Sequence, residues 1–301
     1  MGRLTAIVLG SAAGGGFPQW NCRCPVCQLA WAGDSRVRPR TQASLAVSAN
    51  GEDWLLINAS PDLPEQLRRA QQLHPRGGTR GSPIKAVLLT GAEIDQVAGL
   101  LSLREREPFT LCATAATLAV IEDNSVFGVL PLDVVRRQPI TPGHPCALPG
   151  GLQAELFPVP GKVALYLEGE NPETMSETAG TVGVEISAGG ARLAFIPGAA
   201  AVTPAMRERL ARADVVFFDG TLFRDDEMIA TQTGNKTGRR MGHMSIDGPG
   251  GSLAALEGIR ARRIYIHINN TNPILVDGSP ECARVTSQGW EVAEDGLEVV
   301  L

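Results

Sequence analysis

The sequence predicts an α/β fold in which helices cover buried sheets, and two observations support this prediction. First, apolar runs rich in Val, Ile and Phe each stop abruptly at a polar residue, proline or glycine: LTAIVLG, WLLIN, AVLLT, LAFIPG, DVVFFDG and RIYIHINN. Short continuous runs of this kind fit strands that are buried on both faces. Second, helical patterns follow several of them: DQVAGLLSLRERE, TAATLAVIEDN, TPAMRERLARA after a Thr203 cap, and GSLAALEGI.

The ends of these predicted strands carry most of the polar side chains of interest. In α/β sheets, ligands gather beyond the carboxyl ends of the strands. The residues expected near this rim are Asn58, Asp62, Thr90, Asp95, Asp219, His243 and His267. Two segments without an apolar period, residues 75–83 and 168–180, are predicted to be loops, the second an exposed loop or lid.

Composition narrows the functional class. The chain has 301 residues, 44% hydrophobic and 20% charged, with a formal charge of −5 and no Lys/Arg run. This balance argues against nucleic acid or an anionic membrane as the main partner. No apolar stretch approaches the roughly 20 residues that cross a bilayer. The start fits a first strand better than a signal peptide, so a cytoplasmic protein with reduced thiols is expected.

The most specific local motif is WNCRCPVC, which contains Cys22, Cys24 and Cys27. Three thiolates within one turn are an arrangement that structural Zn²⁺ sites use, and merely reduced or redox-active thiols are the alternative. The candidates for a fourth ligand are Asn270, Asp34 and His74. The isolated Cys112, Cys146 and Cys282 are expected to be small buried apolar residues.

The glycine run GSAAGGGFPQW does not predict a nucleotide site. It lacks G-x-G-x-x-G and Gly-Lys-Ser/Thr, and Phe17-Pro18 stands where a phosphate-binding helix would begin. The interpretation favoured here is a backbone that needs positive φ beside a pocket or the cysteine cluster.

Four histidines are available for chemistry. His74 and His144 each precede a proline in a loop-like sequence and are expected to be exposed turn residues. His243 lies in a Gly- and Arg-rich loop, where it fits an acid, a base or an anion contact as well as a backbone-bonded loop histidine. His267 stands at a strand end before an Asn/Thr run that can orient a ligand, although a hydrogen-bonded core histidine is the alternative.

Several blocks, in order, resemble the pyrroloquinoline quinone (PQQ) biosynthesis protein B family: VLGSAAGGGFPQWNCRCPVC, RPRTQASLAVS, WLLINASPDL, FFDGTLFRDDEM, KTGRRMGHMSIDGPGGSLAAL and IYIHINNTNPIL. The resemblance extends over nearly the whole chain. It implies a metallo-β-lactamase fold, a four-layer αββα sandwich, as a single domain over residues 1–301. The cysteine motif then resembles the family's structural zinc segment.

The resemblance also suggests a role for the turn after AVLLT. The superfamily pattern T-H-x-H-x-D-H aligns with residues 90–96, which read TGAEIDQ. Asp95 and His267 resemble the surviving metal ligands, and Gln96 stands where the family retains a histidine. Without the resemblance, Glu93 and Asp95 fit the acids that begin a helix.

The family resemblance implies iron- and O2-dependent hydroxylation of the tyrosine ring in a Glu–Tyr precursor. Asp95 and His267 would bind Fe(II), Gln96 would be a weak third ligand, and His243 would donate a proton or contact substrate. Lys236, Arg239 and Arg240 would attract the substrate's carboxylates. The alternatives are a carrier of PQQ or its precursor and, disfavoured by the few histidines, a metal-dependent hydrolase. Other PQQ biosynthesis proteins are expected partners, and the oligomeric state is open, a homodimer included.

Overall fold

The computed structural model describes residues 3–169 and 175–301, which form two β-sheets packed face to face. The first sheet contains β1 (Thr5–Gly10), β2 (Ser44–Ser48), β3 (Trp54–Ile57), β4 (Ile84–Leu88), β5 (Phe109–Ala113), β6 (Val135–Pro139) and β14 (Glu298–Val300). Its strand order is β14-β1-β2-β3-β4-β5-β6. Pairing is antiparallel from β14 to β3 and parallel from β3 to β6.

The second sheet mirrors this arrangement. It contains β7 (Cys146–Ala147), β8 (Gln153–Pro160), β9 (Glu177–Ala188), β10 (Ala191–Ile196), β11 (Val215–Asp219), β12 (Arg262–Ile266) and β13 (Trp290–Val292). Its order is β13-β12-β11-β10-β9-β8-β7. Strands β10 to β13 are parallel, so their carboxyl ends meet at one edge.

Helices connect the strands. Their bounds are α1 (Pro25–Trp31), α2 (Leu63–Arg69), α3 (Ile94–Val97), α4 (Ala115–Asp123), α5 (Pro204–Leu210), α6 (Glu227–Ala230), α7 (Gly238–Met241), α8 (Ser252–Ala255) and α9 (Pro280–Ser287). The predicted Thr203 cap is present, because its side chain accepts a hydrogen bond from the Met206 N–H while Pro204 begins α5. No helix among the described residues has both the length and the apolar character needed to cross a membrane.

The core lies in three layers of apolar side chains. Along β11, Val215 and Phe217 face the other sheet, whereas Val216 and Phe218 pack into the outer layer with residues of α5 and α9. A third cluster covers the outer face of the first sheet. Because successive strand residues point to opposite faces, a strand buried on both sides is apolar throughout. The predicted four-layer αββα sandwich is confirmed.

Two predicted helices are shorter than their patterns suggested. The run that follows β4 is α-helical only over Ile94–Val97 and continues as a 3₁₀-helix over Ala98–Leu103. Gly99 is packed so closely that a Cβ there would lie 2.1 Å from the Ser60 carbonyl oxygen, so this segment is shaped by tertiary contact. The GSLAALEGI pattern forms only α8.

The loop predictions are partly confirmed. Residues 75–83 contain neither helix nor strand. In the predicted loop 168–180, the last residues belong to β9, which begins at Glu177, while residues 170–174 lie outside the described part. Cys112 is buried as predicted, but Cys146 and Cys282 are only half-buried because they lie on an edge strand and an outer helix.

Candidate active site

A cavity of about 440 Å³ lies where the carboxyl ends of strands from both sheets converge. It is lined by the glycine run at Ala13 to Gly15, the turn after β4, the segment after β8, and residues that follow β11 and β12. Gly15 has φ +93°, as the interpretation of the glycine run expected beside a pocket. A volume of this size suits a small-molecule ligand.

Asp95 and His267 meet across this cavity. Asp95 lies in the first turn of α3, and His267 directly follows β12 with φ +58°. Asp95 Oδ2 is 2.8 Å from His267 Nε2. Burial alone would lower the pKa of His267, but the hydrogen bond and charge of Asp95 raise it above its ordinary value. Burial opposes ionisation of Asp95 too, yet the bond to His267 keeps the pKa of that carboxyl lowered.

A second carboxylate–imidazole pair lies beside the first. Asp219, the last residue of β11, is fully buried, and its Oδ2 lies 2.7 Å from His243 Nδ1. Although burial raises it, the pKa of Asp219 is lowered overall by the charge of His243 and its hydrogen bond. The rings of His243 and His267 stack with centroids 5.3 Å apart.

Thr221 joins the two pairs. Its hydroxyl donates to Asp219 Oδ1 over 2.6 Å and lies 3.0 Å from His243 Nδ1 and 2.9 Å from His267 Nδ1. A hydroxyl has one proton. If that proton is on Asp219, His267 donates from Nδ1 to Thr221 and its Nε2 faces Asp95, while His243 donates from Nδ1 to Asp219. The three atoms offered by Asp219, His243 and His267 all lie within 4.8 Å of one another.

Gly242 sets the direction in which His243 leaves α7. It ends that helix with φ +83°, a left-handed conformation that glycine adopts without strain. Its backbone also packs on Lys162, because a Cβ at Gly242 would lie 3.1 Å from Lys162 Cγ.

Gln96 lines the cavity but is occupied in a different interaction. Its Oε1 accepts a hydrogen bond from the backbone N–H of Glu93 over 3.2 Å, which is half of a capping box at the start of α3. Glu93 and Asp95 therefore have different roles, since Glu93 begins the helix while Asp95 reaches His267.

The predicted cationic residues are not equally placed. Lys236 lines the cavity, and Arg240 lies 3.4 Å from Glu168, whereas Arg239 is exposed and does not line it. Sequence reasoning missed Lys162, which also lines the cavity and bonds to Glu168. In the sequence FPVPGK, Lys162 follows strand β8, but the two prolines obscure the strand pattern that would have indicated this position.

Of the other predicted rim residues, Thr90 lines the cavity, whereas Asn58, Asp62 and Asp219 lie behind its wall. Asp62 accepts hydrogen bonds from the backbone and side-chain N–H groups of Gln42, and Asp219 acts through Thr221 and His243, so neither lines the cavity directly. Asn58 is hydrogen-bonded to Thr90, which does line it. Thr221 was not predicted from the sequence, although its position two residues after the strand-end Asp219 is a usable signal.

The cysteine cluster forms a second site near the same strand end. The Sγ atoms of Cys22, Cys24 and Cys27 lie within 4.8 Å of one another and are buried. Asn270 Nδ2 lies 3.1 Å from Cys22 Sγ and 3.4 Å from Cys27 Sγ. Chiefly through its hydrogen bond with Cys24, the pKa of the Cys27 thiol is lowered, while the same bond raises the pKa of Cys24.

Of the three candidates for the fourth ligand, only Asn270 is at the cysteines. Asp34 pairs with Arg36 over 2.8 Å, and that hydrogen bond lowers the pKa of Asp34 to about 2. His74 is exposed and its Nε2 lies 3.0 Å from the Arg68 carbonyl oxygen. His144 is exposed as well, so both His-Pro predictions are confirmed.

Comparisons with known proteins agree with this fold and indicate the family. A family model described as Beta-lactamase superfamily domain matches residues 53–268. Coenzyme PQQ synthesis protein B from Methylorubrum extorquens (strain AM1) is 56% identical over 296 residues, 98% of this chain and 99% of the relative. The protein of the same name from Ruegeria pomeroyi is 53% identical over 295 residues, again 98% and 99%.

Solved structures extend the comparison. The crystal structure of Zn(2+)-bound PqqB from Methylobacterium extorquens superposes with a TM-score of 0.97 at 56% identity, covering 99% of this chain and 100% of that one. A diphosphatase from the PhnP family reaches a TM-score of 0.71 at 22% identity over 99% and 97% of the two chains, a likeness of fold alone. With full-length identity above half, the chain belongs to the coenzyme PQQ synthesis protein B family within the β-lactamase superfamily.

Proposed function

We propose that this chain acts in pyrroloquinoline quinone synthesis by hydroxylating the tyrosine ring of a Glu–Tyr precursor with iron and O2. The observation that carries the proposal is the convergence of Asp95, His243 and His267 on one cavity that also has a cationic wall. The names of the relatives support the pathway, and the side chains of the cavity support the chemistry.

The donor set fits Fe(II). With Nδ1 of His267 donating to Thr221, its Nε2 presents a lone pair to a carboxylate oxygen 2.8 Å away, which is repulsive unless a cation or a proton lies at the pair. Adjacent ligands around one octahedral ion at about 2.1 Å are separated by about 3 Å. His267, His243 and Asp95 would hold the ion, with Asp219 orienting His243.

Bound there, Fe(II) would supply the activation of O2 for hydroxylation. The protein's own residues would position the substrate and handle its protons. Lys162 and Lys236 would bind carboxylates, and the partly apolar wall at Ile94, Leu165 and Met241 would contact the ring and exclude water. His243, hydrogen-bonded to Asp219, would hold a proton at Nδ1.

Gln96 is assigned a smaller role than the family pattern suggests. As a ligand, Gln96 would have to use the same Oε1 that accepts the Glu93 N–H at the start of α3, which restricts how that oxygen can turn towards an ion. We therefore propose that Gln96 is at most a weak third ligand, and that His243 is the second imidazole.

The engaged Gln96 amide also favours a second candidate, a carrier of PQQ or its precursor. A carrier needs the cavity and its cations but no complete ligand set. A dinuclear hydrolase remains disfavoured, since His74 and His144 are exposed and hydrogen-bonded elsewhere.

We also propose structural zinc at Cys22, Cys24 and Cys27 with Asn270 as the fourth ligand. The side-chain amide of Asn270 faces all three thiols. If the positions of its O and N atoms are exchanged, Oδ1 points towards the place where the zinc would lie. The cluster would brace the segment after His267, because Asn270 follows that histidine by three residues.

The test is metal analysis of protein purified without oxygen and loaded with Fe(II). We expect one zinc that is lost in Cys24→Ser and one iron that is lost in His267→Ala. His144→Ala, which removes an exposed histidine, should retain both metals. Incubation of the iron-loaded protein with the Glu–Tyr precursor, O2 and a two-electron reductant such as ascorbate should add one oxygen atom to the tyrosine ring, detected by mass spectrometry. The reductant would supply the electrons that convert the second oxygen atom to water.

The outcomes separate the candidates. Iron uptake with hydroxylated product supports the hydroxylase. Tight binding of the precursor or PQQ, with no iron bound by either the unsubstituted chain or Gln96→His, would overturn the hydroxylase and favour the carrier. Zinc retained in Cys24→Ser at full occupancy would overturn the structural-zinc assignment.

A further inference from the structure

Lys162 is an ammonium group fixed in the cavity wall. It follows β8, its side chain is only 11% exposed, and its stem packs on Gly242. Its Nζ lies 3.2 Å from Glu93 Oε1 and hydrogen-bonds to Glu168 Oε1. Two carboxylates from different segments therefore set the position of this one cation.

Glu168 is the shared partner of three cations. Its side chain is 7% exposed, and its Oε2 lies 3.4 Å from Arg240 Nη1 and 3.9 Å from Lys236 Nζ. Burial opposes ionisation, but the hydrogen bond from Lys162 and the neighbouring charges keep the pKa of Glu168 lowered. This carboxylate is ionised at neutral pH and belongs to a compact charged cluster.

The cluster has capacity for one more anion. Among the described residues, Lys162, Lys236 and Arg240 contact Glu93 and Glu168, so this cluster of five carries one net positive charge. An ammonium donates three hydrogen bonds, and within residues 3–169 and 175–301 Lys162 has two acceptors. Lys162 and Lys236 line the same cavity as His243 and His267, so this charge is presented to a ligand of the candidate active site.

We propose that Lys162 binds a carboxylate of the ligand and that Glu168 competes with this carboxylate for the same three cations. The ligand class is an aromatic acid with more than one carboxylate. This ligand class comes from the proposed function, on which the proposal rests, while the cluster itself accounts for one carboxylate. Glu168 would thereby favour ligands with enough negative charge to share its cations, and neutral analogues would gain nothing from the cluster.

A purely structural role is the main alternative. In that case the bonds of Lys162 to Glu93 and Glu168 only hold the segment after β8 against α3, a contact that Leu165 N–H to Glu93 and Tyr166 OH to the Ala92 carbonyl also make. In that case, substituting Lys162 and substituting Glu168 would both weaken ligand binding.

The experiment is calorimetric titration of the iron-free full chain with PQQ, a tricarboxylate, and with its neutral trimethyl ester. We expect Lys162→Gln to weaken binding of the acid by about 10- to 100-fold, the value of a charge-assisted hydrogen bond. Lys162→Arg should retain most of the affinity. Glu168→Gln should bind the acid tighter, by roughly 5-fold, because one repelling charge is removed.

Matched controls are exposed residues outside the cavity lining. Lys85→Gln and Glu122→Gln change exposed charges on β4 and α4, and neither should change binding of the acid. The ester should bind weakly and with the same affinity to the unsubstituted chain and to Lys162→Gln.

The proposal is overturned if Glu168→Gln weakens binding as Lys162→Gln does, if the ester binds as tightly as the acid, or if the acid shows no saturable binding to the unsubstituted chain. The titration contains no iron and measures no turnover. The titration can therefore be interpreted even if the hydroxylase reaction is not observed.

Discussion

Asp95 and His267 are 172 residues apart in the chain, yet the carboxylate Oδ2 of one lies 2.8 Å from Nε2 of the other. Asp95 follows a strand of the first sheet, and His267 follows a strand of the second. The contact thus joins the two halves of the sandwich at the point where a ligand would bind.

Thr221→Val tests the hydroxyl that joins both imidazoles. The substitution keeps the shape and removes hydrogen bonds to Asp219, His243 and His267. Loss of such orienting contacts should weaken Fe(II) binding by about 10- to 100-fold. A buried carboxylate left short of a donor should also lower the free energy of unfolding by about 1–3 kcal/mol.

Iron titration and urea unfolding measure these two effects. Thr286→Val, which alters an exposed hydroxyl on α9, is the control and should change neither. Unchanged iron affinity in Thr221→Val would show that the imidazoles are positioned without this hydroxyl.

Gln96→His restores the residue that the family pattern expects at this position. It should tighten Fe(II) binding, because an imidazole is a stronger ligand than an amide oxygen. It should also lower the free energy of unfolding by about 1 kcal/mol, because the bond to the Glu93 N–H is lost.

Gln96→Ala separates the two effects, since it loses the cap and offers no ligand. Comparable loss of stability in both variants, with tighter iron binding only in Gln96→His, is the expected result of paired thermal unfolding and iron titration. Equal iron affinity in both would argue against a ligand at this position.

Two substitutions of Asn270 test whether it is a zinc ligand or only packs against the cysteine cluster. We expect Asn270→Asp to keep zinc, because a carboxylate oxygen is a good fourth ligand. Asn270→Ala should release zinc to a chelator much faster, as measured with a colorimetric zinc indicator. Equal release rates in both variants would exclude a ligand role, and Ser287→Ala on α9 supplies the exposed control.

Glu227 gives the protein a predicted pH dependence of stability. Burial raises the pKa of this carboxyl from about 4.5 to about 7, although the Thr271 hydroxyl and the Phe223 N–H both donate to it. Between these values the folded chain holds a proton that the unfolded chain has lost. The free energy of unfolding therefore falls as pH rises from about 4.5 to about 7, by about 3 kcal/mol, and is flat for this group above that range.

Glu227→Gln should remove this dependence, because the amide stays neutral. In urea unfolding, the free energy of unfolding of the variant should rise relative to that of the unsubstituted chain as the pH increases from 5 to 8. Glu122→Gln changes an exposed carboxylate and should show no such gain. A constant difference between Glu227→Gln and the unsubstituted chain across this range would contradict the shifted pKa.

Much of the fold was readable because strands buried on both faces are apolar at every position. The runs at β1, β3, β4, β10, β11 and β12 were found in this way. β8 was not found, because Pro158 and Pro160 are atypical of strand interiors. The structure accommodates them next to a register shift between those two prolines, where β8 pairs with β9.

The candidate site was predictable only in part. Asp95 and His267 could be chosen because strand ends and family motifs indicate them. Lys162 and Glu168 could not, since their importance comes from a tertiary contact between the segment after β8, the turn before α3 and the residues around α7. The role of Gln96 in a helix cap was likewise not predicted, because the sequence pattern at this position suggested a metal ligand.

The strand order has a consequence for how the site comes into existence. β14 follows the strands of the second sheet in sequence, but it pairs with β1 at the edge of the first sheet. The second half thus holds the edge of the first, and the pair Asp95–His267, divided between them, forms only after both halves have docked. Affinity for the proposed metal would therefore also report on assembly, because a loosened contact between the two halves would separate Asp95 from His267.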